Sequence, residues 1–98
     1  MADTIRVVAH IKAKPDKVEE MRNVLTKIVE PTRKEDGCIS YTLTQNVADP
    51  TDFTFVEEWE SAEKMQAHLG SAHIQEALGQ LPNVGAADPD IRTYKVLV

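Results

Sequence analysis

Cys38-Ile39-Ser40-Tyr41-Thr42-Leu43-Thr44-Gln45-Asn46-Val47-Ala48-Asp49-Pro50-Thr51-Asp52-Phe53-Thr54-Phe55-Val56-Glu57-Glu58-Trp59-Glu60 is the stretch whose reading decides the fold. Its first part, Cys38 to Asn46, is rich in β-branched and aromatic residues. It alternates Ile39, Tyr41 and Leu43 with Cys38, Ser40, Thr42 and Thr44, which is the two-residue period of a strand. Ala48-Asp49-Pro50-Thr51-Asp52 is a turn cluster, and Phe53 to Glu60 reads as the next strand. The two strands form a hairpin, and Glu57 and Trp59 lie on one side of its second arm.

Upstream, Thr4 to Ala13 alternates Ile5, Val7, Ala9 and Ile11 with Arg6, Val8, His10 and Lys12, a half-buried strand. Pro15-Asp16 opens a helix expected over Asp16 to Arg33, because Val18, Met21, Leu25, Ile28 and Val29 recur at three-and-four spacing. Pro31 should loosen its last turn, and Asp36-Gly37 ends it. Downstream of the hairpin, Ser61 caps a helix carrying Met65, His68 and Leu69. Gly70 interrupts that run and Ser71 reads as a second cap, so Ile74, Ala77, Leu78 and Leu81 belong to the second half of a broken helix. Pro82 to Asp90 reads as a loop and Ile91 to Val98 as a last strand. The order β-α-β-β-α-β predicts an α+β, ferredoxin-like fold: an antiparallel sheet with both helices on one face. The other face is bare but not wholly polar, since it includes Val8 and either Arg92, Tyr94, Val96 and Val98 or Ile91, Thr93 and Leu97. A partner sheet is expected there, giving a homodimer.

The 98 residues fit one domain, 1–98, and a chain this short buries only roughly 60–65% of the surface it exposes when unfolded. That also favours a partner subunit. A composition of 42% hydrophobic and 28% charged residues is that of an ordinary globular protein. The net charge of −5, with scattered Lys and Arg, argues against nucleic acid and anionic membrane as partners. No apolar run is long enough to span a bilayer and the start has no signal-peptide order, so a cytoplasmic location is expected. Cys38 is the one cysteine and reads as a small buried residue.

Three segments resemble one family. Glu30-Pro31-Thr32-Arg33-Lys34-Glu35-Asp36-Gly37-Cys38-Ile39-Ser40-Tyr41 resembles its helix-to-strand junction, and Phe55-Val56-Glu57-Glu58-Trp59-Glu60-Ser61 its third strand. Ala67-His68-Leu69 with Ser71-Ala72-His73 resembles the segment that follows. The family is that of the antibiotic biosynthesis monooxygenases, and the likeness runs over nearly the whole chain. It implies ferredoxin-like subunits paired sheet to sheet in a dimeric α/β barrel. It also implies oxygenase chemistry without flavin or metal, in which a phenolate or enolate substrate itself gives electrons to O2. Other members include haem-degrading enzymes, which place an Asn, a Trp and a His around haem, and an isomerase of a phosphorylated sugar. Strand one here offers His10 instead of an Asn.

Trp59 is the expected wall of a substrate pocket, or else a core or interface residue. His73, two residues into a helix, lies where the positive end of the dipole keeps an imidazole neutral, which suits a general base for a hydroquinone or enol. His68, at the margin of an apolar face, could point into the same pocket across Gly70, so both histidines are candidate catalytic residues. Glu57, Tyr41 and His10 are candidate substrate-binding residues; their ordinary alternatives are a cross-strand ion pair, plain packing and an interface position. Tyr94, like Tyr41, is a candidate hydrogen-bond donor to a substrate oxygen or else a packing residue, and Arg33 resembles a family position or else favours the C-terminal end of the first helix. No paired His spacing, and no Cys or carboxylate at helical offset, points to a metal site, so neither metal nor cofactor is expected. No phosphate-binding glycine motif and no nucleophile elbow occurs. The expected function is a monooxygenase acting with O2 on a small electron-rich aromatic, a quinol or polyphenol. The alternatives are an isomerase or other proton-transfer enzyme, and a non-catalytic dimeric ligand-binding module.

Overall fold

A computed structural model describes residues 4–98. Its elements are β1 (Ile5–Lys12), α1 (Val18–Lys27), α2 (Val29–Arg33), β2 (Cys38–Gln45), β3 (Asp52–Trp59), α3 (Ala62–Leu69), α4 (Ala72–Val84) and β4 (Asp90–Lys95). The strands form one antiparallel sheet in the order β2-β3-β1-β4. With each broken helix counted once, this is the expected β-α-β-β-α-β order of a ferredoxin-like α+β fold.

Alternation assigns the faces. Ile5, Val7, Ala9 and Ile11 of β1 stand opposite Trp59, Glu57, Phe55 and Phe53 of β3, and all eight are buried beneath the helices. Tyr41 of β2 joins them, paired with Glu57. From above, Met21 and Leu25 of α1, Met65 of α3, and Ile74 and Ala77 of α4 complete the core. The intervening residues Arg6, Val8, His10 and Lys12 face the other way.

Five sequence expectations change in detail. The first helix stops at Lys27 and restarts at Val29, with Ile28 between them. Pro31 has no N–H to give the Lys27 carbonyl four residues back and its ring crowds that carbonyl, so the break falls a full turn before the proline. A bulge at Ile39, between the Cys38–Trp59 and Ser40–Glu58 pairs, turns Ile39 outward and packs half-buried Cys38 against the core. The strict alternation read for β2 therefore fails at its first residues. Ser61 caps α3, accepting from the Lys64 N–H at 3.2 Å, but Ser71 does not cap α4; its hydroxyl donates to the His68 carbonyl at 2.7 Å. Pro82 stays inside α4, which runs to Val84, because a proline near a helix end forfeits only the one bond to Leu78. Finally, β4 stops at Lys95, opposite Ile5, where β1 no longer supplies paired backbone.

Gly37 has φ of 89°, the left-handed turn that releases the chain from α2 into β2. A Cβ there would stand 2.4 Å from Lys64 Cγ, so glycine also lets the Lys64 stem cross the turn and reach Asp36. That turn holds Glu35 in front of α3.

Candidate active site

Between the sheet and the α3–α4 pair lies an apolar cavity of about 70 Å³. Ala9, Ile11, Phe55, Met65 and Ile74 form much of its wall, and Tyr41, Glu57 and His68 bring the polar groups. Leu78 and Ile91, 39% and 43% exposed, form its mouth.

His68 is 2% exposed, with its ring 4.7 Å from that of Trp59 and 5.5 Å, edge-on, from that of Tyr41. Its Nδ1 lies 2.7 Å from Glu35 Oε2. Nε2 makes no hydrogen bond within the described residues, yet no buried side-chain nitrogen or oxygen among them is sealed off without a partner. Nε2 therefore opens onto the cavity. Burial pushes the His68 pKa below its ordinary value, against the pull of Glu35, and favours the neutral ring.

Glu57, 3% exposed, accepts a hydrogen bond from Trp59 Nε1 at 2.8 Å. Burial pushes its carboxyl up to about 7 despite that bond, with the charge of Glu35 adding to the rise. Burial and the nearby Glu57 push the Tyr41 phenol up as well, so it is a hydroxyl donor at neutral pH. One apolar cavity thus holds a neutral base and a carboxyl group that titrates near neutrality. Neighbouring groups whose pKa values are moved in this way are a common sign of acid–base chemistry.

The predicted residues separate. Tyr41, Glu57 and His68 reach the cavity. Trp59 is fully buried but stands behind the wall: its ring supports His68 and its N–H holds Glu57. It is a buttress instead of the wall the sequence implied. His73 lies off the cavity, with Nε2 2.7 Å from Glu35 Oε2, 3.1 Å from Thr32 Oγ1 and 3.3 Å from Ser71 Oγ. His10 is on the opposite sheet face, beside Thr54 Oγ1 at 2.9 Å and Asp52 at 3.6 Å, so it contributes nothing to this cavity. Tyr94 is on that face too. Arg33 donates from Nε to the Tyr41 carbonyl at 3.0 Å and pairs with Glu30, pinning α2 to β2 outside the cavity.

Glu35 and Thr32 went unnoticed as site residues. The signal was present: 21, 25, 28, 32 and 35 continue one stripe at three-and-four spacing, which keeps Thr32 fully buried and aims Glu35 under α3. The charged run Arg33-Lys34-Glu35-Asp36 disguised it as a solvated helix end.

The donor atoms of Glu35, His68 and His73 all lie within 4.8 Å of one another, a set that sequence spacing could not disclose. Their number would suit a divalent cation. However, both ring nitrogens stand 2.7 Å from the same carboxylate oxygen. Ligands sharing one tetrahedral zinc ion sit roughly 3.3 Å apart. A spacing of 2.7 Å is that of a hydrogen bond, so the arrangement fits shared protons better than a shared ion.

A family model described as antibiotic biosynthesis monooxygenase matches residues 4–80. The chain belongs to the antibiotic biosynthesis monooxygenase family. An uncharacterised protein of Synechocystis is 33% identical over 94 residues, covering 96% of this chain and 64% of that protein. The chain therefore spans less than two thirds of that relative. The Bacillus subtilis protein named "Putative monooxygenase YcnE" is 34% identical over 67 residues, covering 68% of this chain and 70% of its own. Among solved structures, a conserved protein of Methanosarcina mazei superposes with a TM-score of 0.88 at 34% identity, covering 95% of this chain and 92% of that one. This family member therefore shares its fold with solved relatives, and family and relatives' names point to monooxygenase activity without a substrate. No helix among the described residues is long and apolar enough to cross a membrane.

Proposed function

We propose that the protein is a monooxygenase that uses O2 to oxidise a small electron-rich aromatic, a quinol or polyphenol, with His68 as general base and neither flavin nor metal. The observation that carries this reading is a neutral imidazole whose Nε2 opens onto an apolar cavity beside Tyr41 and Glu57. His68 takes the proton of a ring hydroxyl, the resulting phenolate gives electrons to O2, and the apolar wall keeps water from the intermediates. For a hydroquinone, one oxygen atom enters the ring and the other leaves as water. The ring supplies all four electrons and ends as a hydroxyquinone.

Cavity size restricts the substrate. An apolar cavity of roughly 150 Å³ takes up benzene. The present one, at about 70 Å³, is under half that. A single ring therefore lies across the mouth between Leu78 and Ile91, with one hydroxyl directed inward to His68. A second copy of the chain on the open sheet face would form the family's homodimer.

The test is oxygen uptake with reduced quinones. Uptake above the uncatalysed rate is expected, falling at least 100-fold in His68→Ala with the melting curve retained, in keeping with the weight of a general base. If no quinol or polyphenol supports uptake by the wild type, the oxygenase reading is lost. The alternative reading, an isomerase or other proton-transfer enzyme, draws support from the Glu57 carboxyl in the same cavity as His68, an acid beside a base. Turnover under strict anaerobiosis would decide for it.

A further inference from the structure

We propose that Glu35 and His73 are positioning residues: the Glu35 carboxylate holds His68 as its Nδ1–H tautomer, and His73 in turn holds the carboxylate. This rests on His68 being the base, the role assigned above.

The tautomers follow from what each nitrogen faces. Ser71 donates its only hydroxyl hydrogen to the His68 carbonyl at 2.7 Å, so towards His73 Nε2, 3.3 Å away, it can only accept. Thr32 Oγ1, at 3.1 Å, can take either role, but the closest atom, Glu35 Oε2 at 2.7 Å, is a carboxylate oxygen and can only accept. His73 Nε2 therefore carries a hydrogen and donates it to Glu35. That nitrogen then has no lone pair for a substrate, and the ring lies off the cavity, so His73, the residue that helix position favoured, does not fit the role of base there.

The same oxygen faces His68 Nδ1 at 2.7 Å, so Nδ1 also donates. In a neutral ring the lone pair is then on Nε2, the atom open to the cavity. A free histidine in water prefers the opposite form, with the hydrogen on Nε2, and in that form His68 would present a donor to the substrate and could not take its proton. Glu35 reverses this preference by accepting at Nδ1, as a carboxylate does wherever it orients a catalytic imidazole.

His73 answers a second need. Glu35 is a flexible side chain at a turn, and holding it in one rotamer costs entropy. A second donor at the same oxygen, on a ring fixed at the start of α4, restricts the carboxylate to the orientation His68 requires. The parts come from three elements: Glu35 from the turn after α2, His68 from the last turn of α3 and His73 from the first turn of α4.

The test is the side-chain nitrogen spectrum of the ¹⁵N-labelled protein at a pH where His68 is neutral, which reads each ring's tautomer directly and needs no substrate. The wild type should show His68 protonated at Nδ1 and His73 at Nε2. Glu35→Ala should return His68 to the Nε2–H form. His73→Leu should give a mixture, and His73→Gln, which restores an N–H donor, should recover the wild-type spectrum. Where oxygen uptake is measurable, Glu35→Ala and His73→Leu should lower kcat at least tenfold with little change in KM, and His73→Gln should recover most of the loss. A wild-type His68 carrying its hydrogen on Nε2 overturns the proposal without any variant. So does a His68 tautomer indifferent to Glu35→Ala, and indifference to His73→Leu removes His73 from the arrangement. A protein with the expected tautomers that oxidises no quinol would sink the oxygenase reading and leave this one standing.

Discussion

The two faces of the sheet carry the same residue types and put them to different ends. Glu57 and Glu58 are neighbours on β3. Glu57 turns beneath the helices, loses nearly all contact with water and is held by Trp59. Glu58 turns outward and forms an ion pair with Arg6 at 3.1 Å, and also accepts from the Ser40 hydroxyl at 3.2 Å. His68 and His10 repeat the contrast: one is buried beside two aromatic rings, and the other is half-exposed beside Thr54 and Asp52. Chemistry is therefore not a property of the residue type. It arises where the pleat and the helices strip water from a side chain and leave it one partner.

The strongest attack on this contrast is on the ring that sustains the covered side. Trp59 is fully buried and, among the described residues, is the one hydrogen-bond donor to the Glu57 side chain. Trp59→Ala leaves a large cavity and an undonated buried carboxyl, and should cost about 3–5 kcal/mol in denaturant unfolding. A loss below about 1 kcal/mol would mean that the covered face tolerates water and that the distinction between the faces is weaker than drawn.

The next is a matter of sign. Glu57 has a folded pKa pushed up to about 7 from an ordinary 4.5. The native state therefore binds this proton more tightly than the unfolded chain does. Its stabilisation is complete below pH 4.5 and is lost as pH rises through about 7, on the order of 3 kcal/mol in all. His68 acts oppositely: with its folded pKa lowered, its contribution is present above its ordinary 6.5 and is lost on acidification below that. Glu57→Gln keeps an acceptor for Trp59 and cannot ionise. Its stability relative to the wild type should rise between pH 5 and pH 8.5, and because both proteins contain His68 the opposing term cancels. A flat difference across that range would return Glu57 to the class of Glu58.

Much of this architecture was legible in the sequence because it is written in periods. The two-residue alternation of Ile5, Val7, Ala9 and Ile11 and of Phe53, Phe55, Glu57 and Trp59 named the covered face, and Gly70 marked the break between α3 and α4. Departures came where one local event outweighed the period: the missing N–H of Pro31 and the bulge at Ile39. The site was less legible. Glu35 is 33 residues from His68 and 38 from His73, and no local pattern encodes a contact made through the fold. Helix position favoured His73 as the base, whereas the fold brings His68 and not His73 to the cavity and sets Glu35 against both rings, which no spacing expresses.

The smallest effect on the fold should come from the open face, and it sharpens the comparison most cleanly. Val56, next to buried Phe55, is 47% exposed, and Tyr94 on the same sheet face is 47% exposed too. Apolar side chains left half in water on a sheet face are what a second copy would cover. Val56→Lys on a free surface should change the stability of the single chain by no more than about 0.5 kcal/mol. If a second copy covers this face, the wild type should sediment as two chains and its melting midpoint should rise with protein concentration, since association stabilises by mass action. Val56→Lys should sediment as one chain and lose that concentration dependence. A wild type that sediments as one chain at every concentration leaves this face simply solvated, and the apolar residues on it would then be no more than the scattered surface hydrophobics any monomer carries.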